Sequence, residues 1–210
     1  SKFGGDEYRG DAGPLHTSNG NEMKNPLYRA FIEAGVQAGY LRSDDVNGHQ
    51  QEGFGRMDMT VKNGRRWSTA DAYLKPAMSR PNLCVEMRAL SRRILMDGKR
   101  AVGVEYSQDG QVYRAKATRE VILSAGPFNS PKLLMLSGVG PAAHLREHGI
   151  DVVHDLPGVG ENLHDHLEIW FQQRCTQAIT LNGKLDPWSK LMIGIRWVLF
   201  KDGLGASNHF

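Results

Sequence analysis

The sequence has little of the residue that defines small disulfide-bonded or thiolate-bridged proteins. Of its 210 residues only Cys84 and Cys175 are cysteines, and no CxxC pair occurs. A disulfide framework and a zinc site built from thiolates are therefore excluded. Two isolated thiols fit a reducing compartment.

The sequence also lacks a charge excess and a long hydrophobic run. Lys and Arg number 26 against 23 Asp and Glu, and a net charge of +3 is too small to predict a nucleic-acid partner. Mean hydropathy is −0.45, and no apolar run approaches the roughly 20 residues that span a bilayer. Charged residues make up 23% of the chain, which is typical of a folded domain. We therefore expect a folded chain without a membrane-spanning helix.

Helix signals occur at both ends of the sequence and after residue 125. Asn25-Pro26 is an N-cap followed by proline at the first helical position, and helical spacing predicts a buried stripe of Leu27, Ala30, Phe31, Ala34 and Ala38 before Gly39. A capping-box pattern at 68–71 predicts a short helix that Pro76 ends or kinks. Further helices are predicted from Ser130-Pro131 to Gly138, from Pro141 to His148, and over 188–200. The last is expected to pack through Trp188, Leu191, Ile195, Trp197 and Val198.

Strand signals dominate the middle of the sequence. Asp97-Gly98 and Asp109-Gly110 separate short apolar runs, which is typical of hairpins. We expect an antiparallel meander that leads into a strand buried on both faces at 121–123. The predicted strands cover 83–87, 93–96, 101–106, 112–115, 121–123, 150–153 and 167–175.

Two glycine patterns and a histidine pair resemble ligand motifs without their usual context. The first pattern, at Gly138, follows a helix, whereas a dinucleotide fingerprint follows a strand. The second pattern begins at Gly158 and has Leu163 where a third Gly or Ala is required. We interpret both as helix stops and tight turns. His164 and His166 have no third ligand at metal spacing, so no metal site is predicted.

Glu168 opens a predicted apolar strand and is followed by aromatic residues. A carboxylate beside aromatic faces can hold a quaternary ammonium group through Coulomb attraction and cation–π contact. From the residues alone, a strand-end glutamate beside core tryptophans is the favoured interpretation, with the cation site as the alternative.

Residues 126–140 (GPFNSPKLLMLSGVG) resemble the second sequence motif of the glucose–methanol–choline (GMC) family of FAD-dependent alcohol oxidoreductases. Two further segments, 81–85 and 158–166, resemble other family motifs in the same order along the chain. His164 stands where the family usually has Gln. The resemblance implies a mixed α/β fold: part of a GMC-type FAD-binding domain with an antiparallel meander, plus the beginning of a substrate-binding domain.

The resemblance also implies a domain division and an FAD site. Residues 1–66 would form an arm, a helix and a loop region linking the two domains, 67–165 part of the FAD-binding domain, and 166–210 the beginning of the substrate-binding domain. FAD would contact the backbone of Val85 at its adenine, and of Ser124, Ala125 and Gly126.

The likeness is strongest to choline-oxidising members of the family, in residues 10–16, 25–27, 44–48, 51–55 and 206–210. In those enzymes the Glu two residues past the loop His binds the trimethylammonium group, and Glu168 stands there. Trp188 is a second, weaker candidate for contact with that group. Choline would be the substrate and a respiratory acceptor would take the electrons. The implied location is the cytoplasm, the periphery of a bacterial inner membrane, or the mitochondrion.

Two features of the family are not found in these 210 residues. Family members begin with a strand–GxGxxG–helix unit that holds the FAD pyrophosphate and end with a His-containing catalytic pair. We therefore expect an internal part of such an enzyme, with no catalytic residue of its own. Two alternatives remain: a GMC enzyme acting on another alcohol, and an isolated chain that is a non-catalytic domain without flavin.

Overall fold

The computed structural model of the chain describes residues 4–18 and 25–206. Its helices are α1 (Pro26–Gln37), α2 (Lys75–Ala77), α3 (Gly126–Leu136), α4 (Ala142–Glu147) and α5 (Pro187–Phe200). Its strands are β1 (Val61–Lys62), β2 (Arg65–Arg66), β3 (Leu90–Asp97), β4 (Arg100–Gln108), β5 (Gln111–Lys116), β6 (Val139–Gly140) and β7 (His154–Asp155). A π-helical turn (Ala70–Leu74) leads into α2, and 3₁₀ turns cover Leu181–Lys184 and Leu204–Ala206. This mixture of helix and antiparallel sheet is the predicted fold class.

The chain divides into two compact units. One comprises Ser1–Cys84 and Phe171–Phe210, and the other comprises Val85–Trp170. These units differ from the predicted parts 1–66, 67–165 and 166–210, and that division stays a prediction. The predicted likeness at 206–210 falls mostly outside the described residues.

The cap of α1 is confirmed, but its predicted buried stripe is wrong. The Asn25 side chain accepts a hydrogen bond from the Leu27 N–H at 3.0 Å, and Gln37 ends the helix just before the predicted stop. The buried residues are Ile32 and Gly35, whereas Phe31 is 69% exposed and Ala30, Ala34 and Ala38 are exposed. The Phe54 ring lies where a Cβ of Gly35 would stand, so a side chain from a distant loop selects the buried face.

A short hairpin in the first unit was missed by the sequence analysis. β1 and β2 pair antiparallel, with Asn63 and Gly64 between them at φ +50° and +66°. Asn-Gly with both residues at positive φ forms a type I′ turn, and this local signal would have predicted the hairpin. The Trp197 indole N–H donates to the Gly64 carbonyl oxygen at 2.7 Å.

The predicted helix at 188–200 is confirmed as α5, but most of its predicted packing is wrong. Asp186 caps it by accepting a hydrogen bond from the Ser189 N–H at 2.9 Å. No residue of α5 is buried, and four of the five predicted packing residues are exposed: Trp188, Leu191, Ile195 and Val198. The fifth, Trp197, is half-buried, and its indole N–H donates to the Gly64 carbonyl oxygen. Helical spacing identified an apolar face, but it does not determine whether another element covers that face.

The meander of the second unit is confirmed as the antiparallel sheet β3-β4-β5. At its second turn, Asp109 and Gly110 have φ +49° and +80°, the conformation that Asp-Gly favours between strands. Glu105 lies directly opposite Arg93 on one side and Arg114 on the other. Both guanidinium groups donate to its carboxylate at 3.0–3.2 Å, and their hydrogen bonds, that of Arg93 first, lower the pKa of Glu105.

Four predicted strands are wrong. Residues 83–87, 121–123, 150–153 and 167–175 form no strand in the described structure. Near 150–153 the ladder instead involves His154 and Asp155, which pair in parallel with Val139 and Gly140. Ile122, predicted to be buried on a two-sided strand, is 78% exposed. An apolar run becomes a strand only where another segment satisfies its N–H and C=O groups, which composition alone does not reveal.

Helix α3 begins one turn earlier than predicted. It starts at Gly126, so Ser130 and Pro131 lie inside it rather than at its start. Pro131 lies inside the helix and lacks the N–H that would bond the Pro127 carbonyl oxygen, and the Ser130 hydroxyl accepts a hydrogen bond from the Ala125 N–H at 3.1 Å. The predicted stop is confirmed: Ser137 caps the helix and Gly138 follows with φ +81°.

Ser137 joins α3 to the sheet. Its buried hydroxyl donates to the Leu133 carbonyl oxygen at 2.6 Å and accepts from the Ile94 N–H at 2.8 Å. The Ile94 side chain is also buried. The C-terminal end of α3 is therefore held against β3 by a side chain that uses both its donor and an acceptor.

Replacing Ser137 with Ala should lower the free energy of unfolding by about 1–3 kcal/mol, because the buried Ile94 N–H would lose its acceptor. Urea denaturation of the 210-residue chain measures this. Ser91→Ala, at an exposed position of the same strand, is the matched control and should change stability by less than about 0.5 kcal/mol. Equal stabilities of Ser137→Ala and wild type would contradict the role of the hydroxyl.

The predicted capping box at 68–71 is confirmed, and it predicts a pH dependence. The Ser68 N–H and hydroxyl donate to the Asp71 carboxylate, and the Asp71 N–H donates back to the Ser68 hydroxyl. The Lys75 ammonium group also donates to Asp71 and, together with Ser68, lowers the pKa of Asp71 to about 2. The short helix passes Pro76 by one residue and ends at Ala77.

Because the pKa of Asp71 is lower in the folded state, the stabilisation it provides is complete above its unfolded pKa of about 4 and is lost as pH falls towards 2. The Tm difference between wild type and Asp71→Asn should therefore be constant from pH 7 to about pH 5 and shrink below that. Thermal melts of both proteins across this range measure it. A difference that does not change with pH would contradict the ionised pairing.

Candidate functional site

A groove runs along α3 in the second unit. It has a volume of about 1070 Å³ and is lined by one side of α3, by the loop 158–164, and by His148 and Ile150. Most of its lining is apolar and comes from side chains such as Phe128, Pro131, Leu134 and Leu163. The groove therefore suits a ligand that presents an apolar face.

The predicted FAD segment 124–126 lies at the N-terminus of α3. Ser124, Ala125 and Gly126 are all exposed, and the cap residue Ala125 offers no side-chain hydrogen bond to the helix. Gly126 has φ +86°, and a Cβ there would meet no atom within 4 Å. The first N–H groups of a helix have no partner within the helix and carry partial positive charge. Apart from the Ala125 N–H, which donates to the Ser130 hydroxyl, these residues present exposed backbone to a polar ligand group.

Val85, the predicted adenine contact, is also accessible. It is 39% exposed and lies outside every strand of the described structure. Its backbone forms no hydrogen bond with another described residue. Val85 and 124–126 belong to the same compact unit. The backbone of these four residues is exposed, and all of it except the Ala125 N–H, which donates to Ser130, is available to a cofactor held through main-chain contacts.

The loop 157–164 rests on α3. Val159 is buried, and Gly160, at φ +86°, lies so close to the helix that a Cβ would stand 2.6 Å from Met135 Cε. Asn162 has φ +56°, a left-handed conformation that Asn tolerates better than most residues. The sequence motif predicted this turn correctly, but it did not predict that the turn packs against Met135. The glycines at 140 and 160 were the sequence feature that could have indicated this close packing.

The two predicted substrate residues lie in different units. Glu168 lies in the second unit, is exposed, and forms no hydrogen bond or ion pair with another described residue. The side chains beside it in sequence are also exposed: Leu167 by 96%, Ile169 by 72% and Trp170 by 83%. Trp188 lies at the second position of α5 in the first unit and is 69% exposed. Neither side chain is buried in a preformed cage within its own unit.

A second cavity, of about 600 Å³, lies between the meander and the C-terminal end of α3. Arg93, Arg114 and Asp151 line it, but both arginines already hold Glu105. The described residues contain no group of three or more His, Cys, Asp or Glu side chains placed to share a metal ion. No described helix is long and apolar enough to cross a membrane.

Comparison with known proteins gives a consistent result. Residues 6–168 match the family described as GMC oxidoreductase. The chain is 57% identical over all 210 residues to an oxygen-dependent choline dehydrogenase of Brucella ovis, and covers 38% of that protein. It is 56% identical over 208 residues to the mitochondrial choline dehydrogenase of mouse, covering 99% of this chain and 35% of that protein.

Among solved structures, an FAD-dependent oxidoreductase from Chaetomium thermophilum superposes with a TM-score of 0.80 at 25% identity, covering 97% of this chain and 36% of that one. The chain thus spans about two fifths or less of the length of the proteins it matches. The family resemblance found in the sequence motifs is confirmed by these matches.

Proposed function

Because the chain belongs to the GMC oxidoreductase family, we propose that it is the part of a choline dehydrogenase that carries flavin-contacting backbone and the substrate carboxylate. The observation that carries the proposal is the 57% identity to a choline dehydrogenase along all 210 residues. A protein of the relatives' length that contains this chain would oxidise choline to betaine aldehyde, a step in the synthesis of glycine betaine.

FAD is the cofactor implied by the family, and the residues present fit it. Val85 and Ser124–Gly126 would hold it through their exposed backbone. Because Gly126 has no side chain, its backbone is uncovered and accessible to the cofactor. The open N-terminus of α3 would favour negative charge on the bound group. When bound, FAD accepts the hydride from the alcohol carbon.

Glu168 is proposed to bind the trimethylammonium group of choline. That group has no hydrogen-bond donor, so Coulomb attraction and contact with aromatic faces are the interactions available to hold it. The exposed carboxylate, which has no other described partner, is free to make this contact. Trp188 is proposed as an aromatic contact to the same group. The proposed role of each residue is to hold the charged end of the substrate.

None of these 210 residues is proposed as the base that takes the hydroxyl proton. The chain's own contribution is to position the alcohol carbon and to compensate the positive charge of the substrate. The reaction converts choline and FAD into betaine aldehyde and reduced FAD. We propose a respiratory acceptor for the electrons, and a location in the cytoplasm, at the periphery of the bacterial inner membrane, or in the mitochondrion.

A GMC enzyme for another alcohol is the second candidate, because a pyridoxine 4-oxidase also shares this fold, with a TM-score of 0.66 at 32% identity. The two candidates differ in the substrate pocket alone. A neutral isostere of choline, with a tert-butyl group in place of trimethylammonium, separates them. A choline enzyme should strongly prefer choline to the isostere.

Replacing Glu168 with Gln in a protein of the relatives' length should raise the KM for choline by about 10- to 100-fold, because a charge pair at about 4 Å near a protein surface is worth up to about 4 kcal/mol. The KM for the neutral isostere should change little, and FAD content should stay constant. Steady-state kinetics with both alcohols measure this. An unchanged KM for choline would remove Glu168 from the substrate site.

The isolated 210-residue chain should be purified without flavin. Val85 and 124–126 supply backbone contacts only, and the family's pyrophosphate-binding unit was not found in this sequence. The absorbance of the purified chain between 350 and 500 nm measures bound flavin, and we expect none. A yellow chain with FAD bound in a one-to-one ratio would contradict the view that these residues alone do not retain the cofactor.

A further inference from the structure

We propose that the Gln108 side chain positions Val85 for its contact with FAD, by holding the two residues that follow Val85 against the end of β4. Gln108 is then a positioning residue, because it acts on the cofactor through Val85. This inference rests on the proposed function, since the contact of Val85 with the FAD adenine is part of that function.

The Gln108 amide forms hydrogen bonds with two consecutive residues. Its Nε2 donates to the Met87 carbonyl oxygen at 2.9 Å and to the Glu86 carboxylate oxygen Oε2 at 3.3 Å. A carbonyl oxygen and a carboxylate only accept hydrogen bonds. Position 108 therefore requires a donor with more than one hydrogen, which the amide NH₂ group supplies. Gln108, Glu86, Met87 and Val85 all belong to the second unit.

These hydrogen bonds lie just beyond the end of the ladder between β3 and β4. The last backbone pair is Leu90 with Ser107, and Gln108 is the next residue of β4. Arg88, between this pair and Met87, has φ +55°, a left-handed conformation that is uncommon for a residue other than glycine. The chain that enters β3 therefore turns at Arg88, and on the far side of this turn the Gln108 side chain holds it to β4.

Val85 lies directly before the two residues that Gln108 holds. Its carbonyl group shares a peptide plane with the Glu86 N–H. Residues 83–87 belong to no strand of the described structure, and Val85 and Met87 are 39% and 74% exposed. Burial therefore does little to fix this segment, whereas hydrogen bonds at two adjacent residues restrict the orientation of the peptide group before them.

This restriction matters because Val85 is proposed to bind FAD through its main chain. Such a contact depends on the direction of an N–H or C=O group, which no side-chain rotation can adjust. A segment that is already ordered also loses less conformational entropy when its ligand binds. Gln108 should therefore strengthen FAD binding through the order that it gives to residues 85–87.

The test compares Gln108→Glu with Gln108→Lys in a protein of the relatives' length, prepared as apoprotein and titrated with FAD. A glutamate carboxylate has no hydrogen to donate and would face the Met87 carbonyl oxygen and the Glu86 carboxylate. We expect the Kd for FAD to rise about 5- to 20-fold in Gln108→Glu. Lysine has a comparable reach and three donors, so Gln108→Lys should keep the Kd within about threefold of the wild-type value.

The KM for choline distinguishes positioning of the cofactor from general damage. Val85 is not proposed to contact the substrate, so at saturating FAD the KM of Gln108→Glu should stay within about twofold of the wild-type value. A variant that disturbed the whole fold would raise the KM for choline together with the Kd for FAD.

Gln111→Glu is the matched control. Gln111 lies directly opposite Gln108 across the ladder between β4 and β5, and it is exposed. The substitution makes the same chemical change in the same hairpin while the hydrogen bonds of Gln108 stay in place. It should change the Kd for FAD by no more than about twofold.

The possible failures are distinguishable. If the wild-type protein binds FAD and Gln108→Glu binds it equally well, the positioning role of Gln108 is overturned while the proposed function stands. The same follows if Gln108→Lys or Gln111→Glu weakens FAD binding as much as Gln108→Glu, or if the KM for choline rises with the Kd. If the wild-type protein binds no FAD, the proposed function fails and this inference fails with it.

Discussion

The attachment of α3 to its surroundings is the constraint on which the candidate site depends. The Ser137 hydroxyl holds the C-terminal end of the helix to β3, Leu133 is buried, and Met135 fills the notch between Gly140 and Gly160. These contacts all lie in the last four residues of the helix and just beyond it. The N-terminal end is left exposed, so the helix is held at one end and offers open backbone at the other.

This arrangement separates structural from ligand-binding roles along one short helix. Polar groups that are buried near Ser137 find partners within the protein, as buried polar groups must. Ser124, Ala125 and Gly126 are exposed, and among their backbone groups the Ala125 N–H donates to the Ser130 hydroxyl. The same logic holds in the meander, where Glu105 is buried but paired with two arginines, and in the loop, where Glu168 is exposed and unpaired with any described residue.

Signals that act within a few residues were predictable from the sequence. The Asn25 cap, the Ser68–Asp71 capping box and the Asp109-Gly110 turn each involve groups at most three residues apart, and each is present. The Asn63-Gly64 hairpin carried an equally local signal that was overlooked. The candidate FAD and substrate residues came from the resemblance to a family, since neither Val85 nor Ser124 carries side-chain chemistry that would single it out.

The sequence by itself determined the family, the meander, the start of α1 and the end of α3, because motifs, turn residues and caps are encoded by adjacent side chains. Only the tertiary structure decided that Ile32 rather than Phe31 is buried, that 121–123 and 167–175 are not strands, and that Met135 packs against Gly160. Each of these depends on a partner distant in sequence: a ring from another loop, a ladder neighbour, or a glycine that leaves room. Such partners are brought together by folding, and local pattern carries no information about them.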